Sequence, residues 1–339
     1  MKKRSRMRSG RTGAICRTLR ICTAATIMLA ACNRDDEIKL TLADDDMFRR
    51  PATETSSERA TVVFEYTPAP GQFINETRLG GFDGTETTPE AAAAYAARRM
   101  SEGEYVSLGG FGGYIVVGFD HSIDNDGDYN IAIEGNAFDT ASEAGVVWVM
   151  RDENGDGQPN DTWYELKGSE YGKEGTLQGY SVTYFRPEAD RQPVKWRDSE
   201  GAEGEIDWLK LHNQPSYYPA WIETESYTLT GTRLAPRNYQ EVKDDGTLGN
   251  WVSPPYDWGY ADNFSPIDRL TDDDNYEAAA IANHFKISNA VTADGRAANL
   301  KFVDFVKVQT AVNAKNGGLG ECSTEVVRIC DFNMTKHSK

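Results

Sequence analysis

The sequence is short of positive charge, cysteine, histidine and long apolar runs, and each shortage excludes something. Its 339 residues carry 36 Lys and Arg against 53 Asp and Glu, a net charge of -17. Eight of the basic residues fall in the first 31 positions, where there is no acid, so the remainder holds 28 against 53, or -25. A body that acidic repels phosphate backbones and anionic lipid surfaces, which excludes nucleic acid as a partner. Cations and neutral ligands stay open. No apolar stretch after the first 31 residues approaches the ~20 residues of a membrane-spanning helix. The four histidines, His121, His212, His284 and His337, have no metal-ligand spacing. A Gly-x-Ser-x-Gly elbow, a His-Glu-x-x-His helix, a phosphate loop and a dinucleotide fingerprint are all missing, so catalysis is not expected. Some pair among so many carboxylates would serve a glycoside hydrolase only at a separation of ~5–5.5 or ~6.5–9.5 Å.

The basic start runs into an apolar segment, Ile21 to Ala31, of the length of a secretory h-region. It ends Leu29-Ala30-Ala31-Cys32, which resembles the bacterial lipobox and implies a signal peptide over 1–31 and a lipid on Cys32. Asn33-Arg34-Asp35-Asp36-Glu37 resembles the surface-export signal of lipoproteins from Bacteroidota-type gut anaerobes, and also suits a plain solvated tether. Together they imply an outer-membrane lipoprotein facing the cell exterior, touching membrane through its lipid alone. Residues 32–59 are charged and poor in apolar groups, the composition of a flexible acidic stalk. Cys16 and Cys22 would leave with the signal, so Cys322 and Cys330 remain. On one straight strand they would stand about 26 Å apart at ~3.3 Å per residue, against the ~5.5–6 Å between Cα atoms that a disulfide needs, so free packed thiols are favoured.

Residues 60–335 read as one all-β unit. Short apolar or alternating runs broken by Gly, Asn, Asp and Pro predict strands over 61–66, 105–108, 114–119, 129–134, 146–151, 163–166, 180–185, 227–230, 302–310 and 324–329. Many strands without interleaved helices argue a β-sandwich with long loops. One short helix is expected: Thr88 caps it, Pro89 and Glu90 suit its first turn, Ala91 to Ala97 propagate it and Gly103 ends it, a lid on the sheet.

Two features suggest binding. Asp152, Asn154, Asp156, the Gln158 carbonyl and Asp161 place oxygens in the rhythm of a calcium loop, with Gly157 at the turning point. Position 12 is Trp163 rather than a bidentate glutamate, and an Asx-rich hairpin needing no metal would read alike. Asp124-Asn125-Asp126-Gly127-Asp128 is a shorter version that suits an ordinary turn. Calcium in either place would be structural. The second feature is aromatic: residues 208–264 hold 11 aromatics in 57 positions, 19% against 11% overall. Trp208, Tyr217, Tyr218, Trp221, Trp251, Tyr256, Trp258 and Tyr260 interleave with turn formers, offering flat apolar faces to a sugar or a large planar ligand. Aromatics buried under long loops would look the same, and that outcome would fit an adhesive or structural role.

The runs Gly112–Asp120, Ile131–Phe138 and Val146–Met150, with Val303–Gln309 near the end, resemble a family of bacterial cell-surface proteins similar to the galactose-binding-like jelly roll. The likeness covers Thr61 to Phe332. Tyr217-Tyr218-Pro219-Ala220-Trp221 and Tyr256-Asp257-Trp258-Gly259-Tyr260-Ala261-Asp262-Asn263 resemble surface lipoproteins associated with cobalamin uptake. That implies capture of a corrinoid (vitamin B12) and delivery to a TonB-dependent outer-membrane transporter. His212, within the aromatic stretch, is added as a ligand contact that could reach the cobalt, against the reading that a lone loop histidine is an ordinary polar residue. A carbohydrate-binding module of the same fold and a glycoside hydrolase are the alternatives.

Overall fold

A computed structural model describes residues 46–212, 214–270, 281–317 and 320–336. The signal segment, Cys32 and the stalk to residue 45 lie outside the described residues, as does the His212 side chain. All described residues belong to the unit Asp45–Lys339.

The architecture is the expected all-β sandwich with long loops. One sheet has six antiparallel strands in the spatial order Val62–Thr67, Tyr114–Asp124, Phe302–Thr310, Gly145–Met150, Trp163–Leu166 and Ala290–Val291. Its central strands are buried on both faces, which is why they read as almost unbroken apolar runs. Val147 and Val149 point into the main core with Ile115, Val117 and Val306. Their neighbours Val146 and Trp148 point the other way, against Tyr256 and Tyr260. A four-stranded sheet, Ser226–Arg233, Leu177–Phe185, Val194–Asp198 and Glu203–Ile206, packs Val182, Tyr184, Val194 and Ile206 onto Phe111, Tyr217 and Tyr218. Ile281–Phe285, Ile131–Gly135 and Arg328–Asp331 form a three-stranded sheet, and two short pairs complete the β structure.

The helix spans Pro89–Glu102 as its caps foretold: Thr88 Oγ1 accepts the Ala91 N–H at 3.2 Å, and Gly103 sits at φ 76°. It is more than a lid, since Ala92, Tyr95, Ala96 and Met100 join the main core. Cys322 and Cys330 are free and buried. The chain turns between them: Glu325–Val326 pairs with Val106–Ser107, while Arg328–Asp331 pairs with Ile131–Gly135.

One boundary differs from expectation. Residues 46–59, assigned by composition to the stalk, are pinned to the sandwich. Arg49 Nε donates to Asp124 at 2.7 Å, and Arg50 Nη2 donates to Asp304 at 3.1 Å. Asp304 has no exposed side-chain surface and also accepts from the Ser122 hydroxyl and the Asp152 N–H. Charges that looked like solvated tether residues are partners for carboxylates of the body.

Candidate functional site

Burial sorts the aromatic cluster. Tyr217, Tyr218, Trp221, Tyr256 and Tyr260 are core residues, each at most 4% exposed, and as folded they offer no face to a ligand. Burial is tolerated because the hydroxyls find backbone partners. Tyr218 donates to Thr224 O at 2.9 Å, Tyr256 donates to Ala235 O at 2.7 Å, and Tyr260 accepts the Glu170 N–H at 2.9 Å. Trp221 packs against Tyr66, the rings tilted by 36° with centroids 5.6 Å apart. These side chains clamp the long loops to the sheets. Trp208 is half-buried, its indole N–H donating to Gln214 O at 2.8 Å.

Two tryptophans of this cluster line clefts. Trp258 borders a cleft of about 310 Å³ with Tyr129, Lys286 and His284. His284 lines this cleft; its Nδ1 bonds Asp268 O at 2.8 Å, and burial holds its pKa below the usual value. Trp251 borders the more open cleft, about 500 Å³, with Phe138, Thr140, Ala141, Gln240, Gly249, Asn250 and Asn316. The hairpin of Tyr239–Val242 and Leu248–Val252 carries one wall. The indole packs closely on Gly317, where φ is 60° and an added Cβ would come within 1.9 Å of the ring nitrogen. Phe138 is 56% exposed. Among the described residues, no charged side chain lines this cleft.

The 152–161 loop folds as an Asx-turn ladder. Asp152 Oδ1 and Oδ2 accept the N–H groups of Gly155 and Gly157 at 2.7 and 2.9 Å. Asn154 accepts from Asp156 N–H, Asp156 from Gln158 N–H, and Asp161 from Glu153 N–H. Asp152, Asp156 and Asp161 do not bring three oxygens within 4.8 Å of one another. In the 124–128 loop, Asp124, Asp126 and Asp128 pair with Arg49, Lys336 and Lys286, so local cations neutralise them.

The one such convergence among the described residues was not anticipated: Glu143, Asp262 and Glu325 bring carboxylate oxygens within 4.8 Å of one another. Asp262 and Glu325 are at most 3% exposed and Glu143 is half-buried. Their bonds come from neutral donors. Glu143 accepts the Ser323 N–H at 3.0 Å, Asp262 accepts the N–H groups of Asn136 and Glu325 at 2.8 and 2.9 Å, and Glu325 accepts the Ser107 and Ser323 hydroxyls at 3.0 Å. Burial, then Asp262, pushes Glu143 up to about 8; burial raises Asp262 to about 7 and Glu325 well above its usual range. Like charges this close cannot all ionise, so the centre holds protons at neutral pH. No spacing signal reveals it, since the three residues lie far apart in the chain.

No protein-family model matches the sequence, and a search of curated proteins finds no match.

Proposed function

We propose that this chain is a lipid-anchored protein of the outer cell surface that captures a small neutral ligand in the Trp251 cleft and passes it to a TonB-dependent transporter, with a corrinoid as the ligand. The make-up of that cleft carries the reading. In a chain that is 26% charged, an indole, a phenyl ring and three carboxamides border it with no charged side chain among the described residues. A corrin offers flat apolar faces and a rim of amides, which suit Trp251 and Phe138 on one hand and Gln240, Asn250 and Asn316 on the other. Sugar hydroxyls and ring faces suit the same groups, and a cleft of this size encloses a sugar more fully than a corrinoid, so glycan binding is the second reading. Among the described residues this cleft carries no carboxylate pair, so it gives the hydrolase reading no support. Calorimetric titration with cyanocobalamin tests the proposal: saturable heat that Trp251→Ala removes supports it. No heat through high micromolar concentrations would sink the corrinoid reading and turn the search to glycans.

The proposal includes a structural calcium ion on the 152–161 loop. Positive φ at Gly155 and Gly157 supplies the turn, and each side-chain oxygen already bonded to an N–H keeps a further lone pair. Asp152, Asp156 and Asp161 would have to draw together, which fits the weak class of extracellular sites, with Kd about 10⁻⁴–10⁻³ M.

A further inference from the structure

The cleft beside Trp258, about 310 Å³, is lined by groups of a different kind from those around Trp251. Leu166 and Phe285, both members of the main core, give it an apolar floor, and the half-buried rings of Trp258 and Tyr129 border it. Gly259, at φ 86°, approaches Gly168 so closely that an added Cβ would stand 2.5 Å from the Gly168 Cα. The Ser169 N–H donates to Trp258 O at 2.9 Å, so this contact sets Trp258 beside Lys167. In a chain of net charge -17, two lysines line the cleft. Lys167 is exposed and has no ion-pair partner among the described residues. Lys286 Nζ stands 4.6 Å from the Tyr129 ring centroid and 3.3 Å from Asp128, an exposed ion pair that water screens. Asp268 is the one carboxylate that lines the cleft among the described residues. It is buried and already satisfied, Oδ1 accepting from the Asn283 amide at 2.9 Å and Oδ2 from the Gly259 N–H at 2.6 Å.

His284, 6% exposed, adds an acceptor. Its Nδ1 lies 2.8 Å from Asp268 O, a carbonyl that can only accept, so Nδ1 carries the proton and Nε2 the lone pair. Burial holds the pKa down, which keeps the ring neutral at pH 7. Nε2 has no hydrogen-bond partner among the described residues, yet it is not closed off from solvent. A polar atom so placed in a mostly buried side chain calls for a donor. The two lysines call for an anion, and the rings of Trp258 and Tyr129 for a flat apolar face. We propose that this cleft binds a small hydroxy-aromatic carboxylate: its ring lies against Trp258, its carboxylate accepts from Lys167 and Lys286, and its hydroxyl donates to His284 Nε2. The site is independent of the Trp251 cleft and takes a ligand of different charge.

The test titrates the full chain in mild detergent with 4-hydroxybenzoate, benzoate and phenol, following the Trp258 indole N–H signal by NMR. The signal should move and saturate with 4-hydroxybenzoate in the millimolar range while that of Trp251 stays in place, which keeps this result separate from the fate of the corrinoid reading. Phenol, without the carboxylate, should bind about tenfold more weakly, and benzoate, without the hydroxyl, about threefold to fivefold, because hydrogen bonds to charged groups are the stronger ones. Lys167→Met, at an exposed position, should weaken 4-hydroxybenzoate by about fivefold and leave phenol unchanged. His284→Phe keeps a ring against Tyr129 and Phe332 and should bring 4-hydroxybenzoate down to the level of benzoate. If His284→Phe does not fold, Lys167→Met decides. Equal affinity for 4-hydroxybenzoate and phenol, no saturation, or an affinity that Lys167→Met leaves unchanged would overturn the proposal.

Discussion

Raising the pH from about 5 to about 8 should weaken the folded state through the carboxyl trio, because like charges this close resist ionisation. Burial lifts Glu143 from 4.5 to about 8, and Asp262 from 3.8 to about 7. Across those windows the folded chain keeps protons that the unfolded chain has released. The stabilisation is therefore complete below about pH 4 and is lost as pH climbs toward about 8. One proton held across the Glu143 window corresponds to about 5 kcal/mol at ~1.4 kcal/mol per pH unit. Glu143 keeps some solvent contact and titrates in the field of Asp262, so a loss of about half, ~2–3 kcal/mol, is expected. For a unit of this size that is roughly 5–8 °C in melting temperature. Glu325→Gln isolates the effect. Its amide oxygen still accepts from Ser107 and Ser323, while one member of the like-charged set is gone. Urea midpoints at several pH values in chelator should fall steeply with pH for the natural chain and about half as steeply for Glu325→Gln. Other groups, including Glu321 and His284, titrate alike in both proteins, so the difference between the profiles belongs to the trio. Coincident profiles would refute the reasoning.

Two further outcomes follow from other parts of the molecule. Arg50→Ala should cost about 2 kcal/mol in a urea melt, because it strips a charged partner from buried Asp304, with a discount for the half-exposed guanidinium. A change below about 0.5 kcal/mol would return residues 46–59 to the role of a loose tether. Terbium, a calcium mimic, should luminesce through Trp163 beside the 152–161 loop, be displaced by calcium with a midpoint of about 10⁻⁴–10⁻³ M, and fall silent in Asp156→Ala. Luminescence that survives Asp156→Ala would place the ion elsewhere.

The fold was more legible than the site. Strands rich in Val, Ile, Phe and Tyr declared themselves, because a sheet buried on both faces needs unbroken apolar runs. The strand Val194–Asp198 and the edge strand Glu203–Ile206 did not. Val194 and Trp196 alternate there with Lys195 and Arg197, and over five residues that alternation looks like loop. The aromatic stretch showed where loops meet the core but not which rings face out. Trp221 and Trp251 both sit among turn formers, and what separates them is tertiary: Tyr66 packs on one, and Gly317 backs the other at the rim of a cleft. Glu143, Asp262 and Glu325 are gathered by strand and loop placement alone, so no spacing rule could have paired them. The Asx turns of 152–161, the alternative there to a calcium loop, were legible because Asx hydrogen bonding is local.

The most direct test of the central claim follows the seven tryptophan indole N–H signals by NMR while cyanocobalamin is titrated into the protein. The account predicts that the Trp251 signal moves and saturates while that of buried Trp221 stays in place. If no indole signal moves, or if only Trp208 or Trp258 responds, the Trp251 cleft is not the corrinoid site.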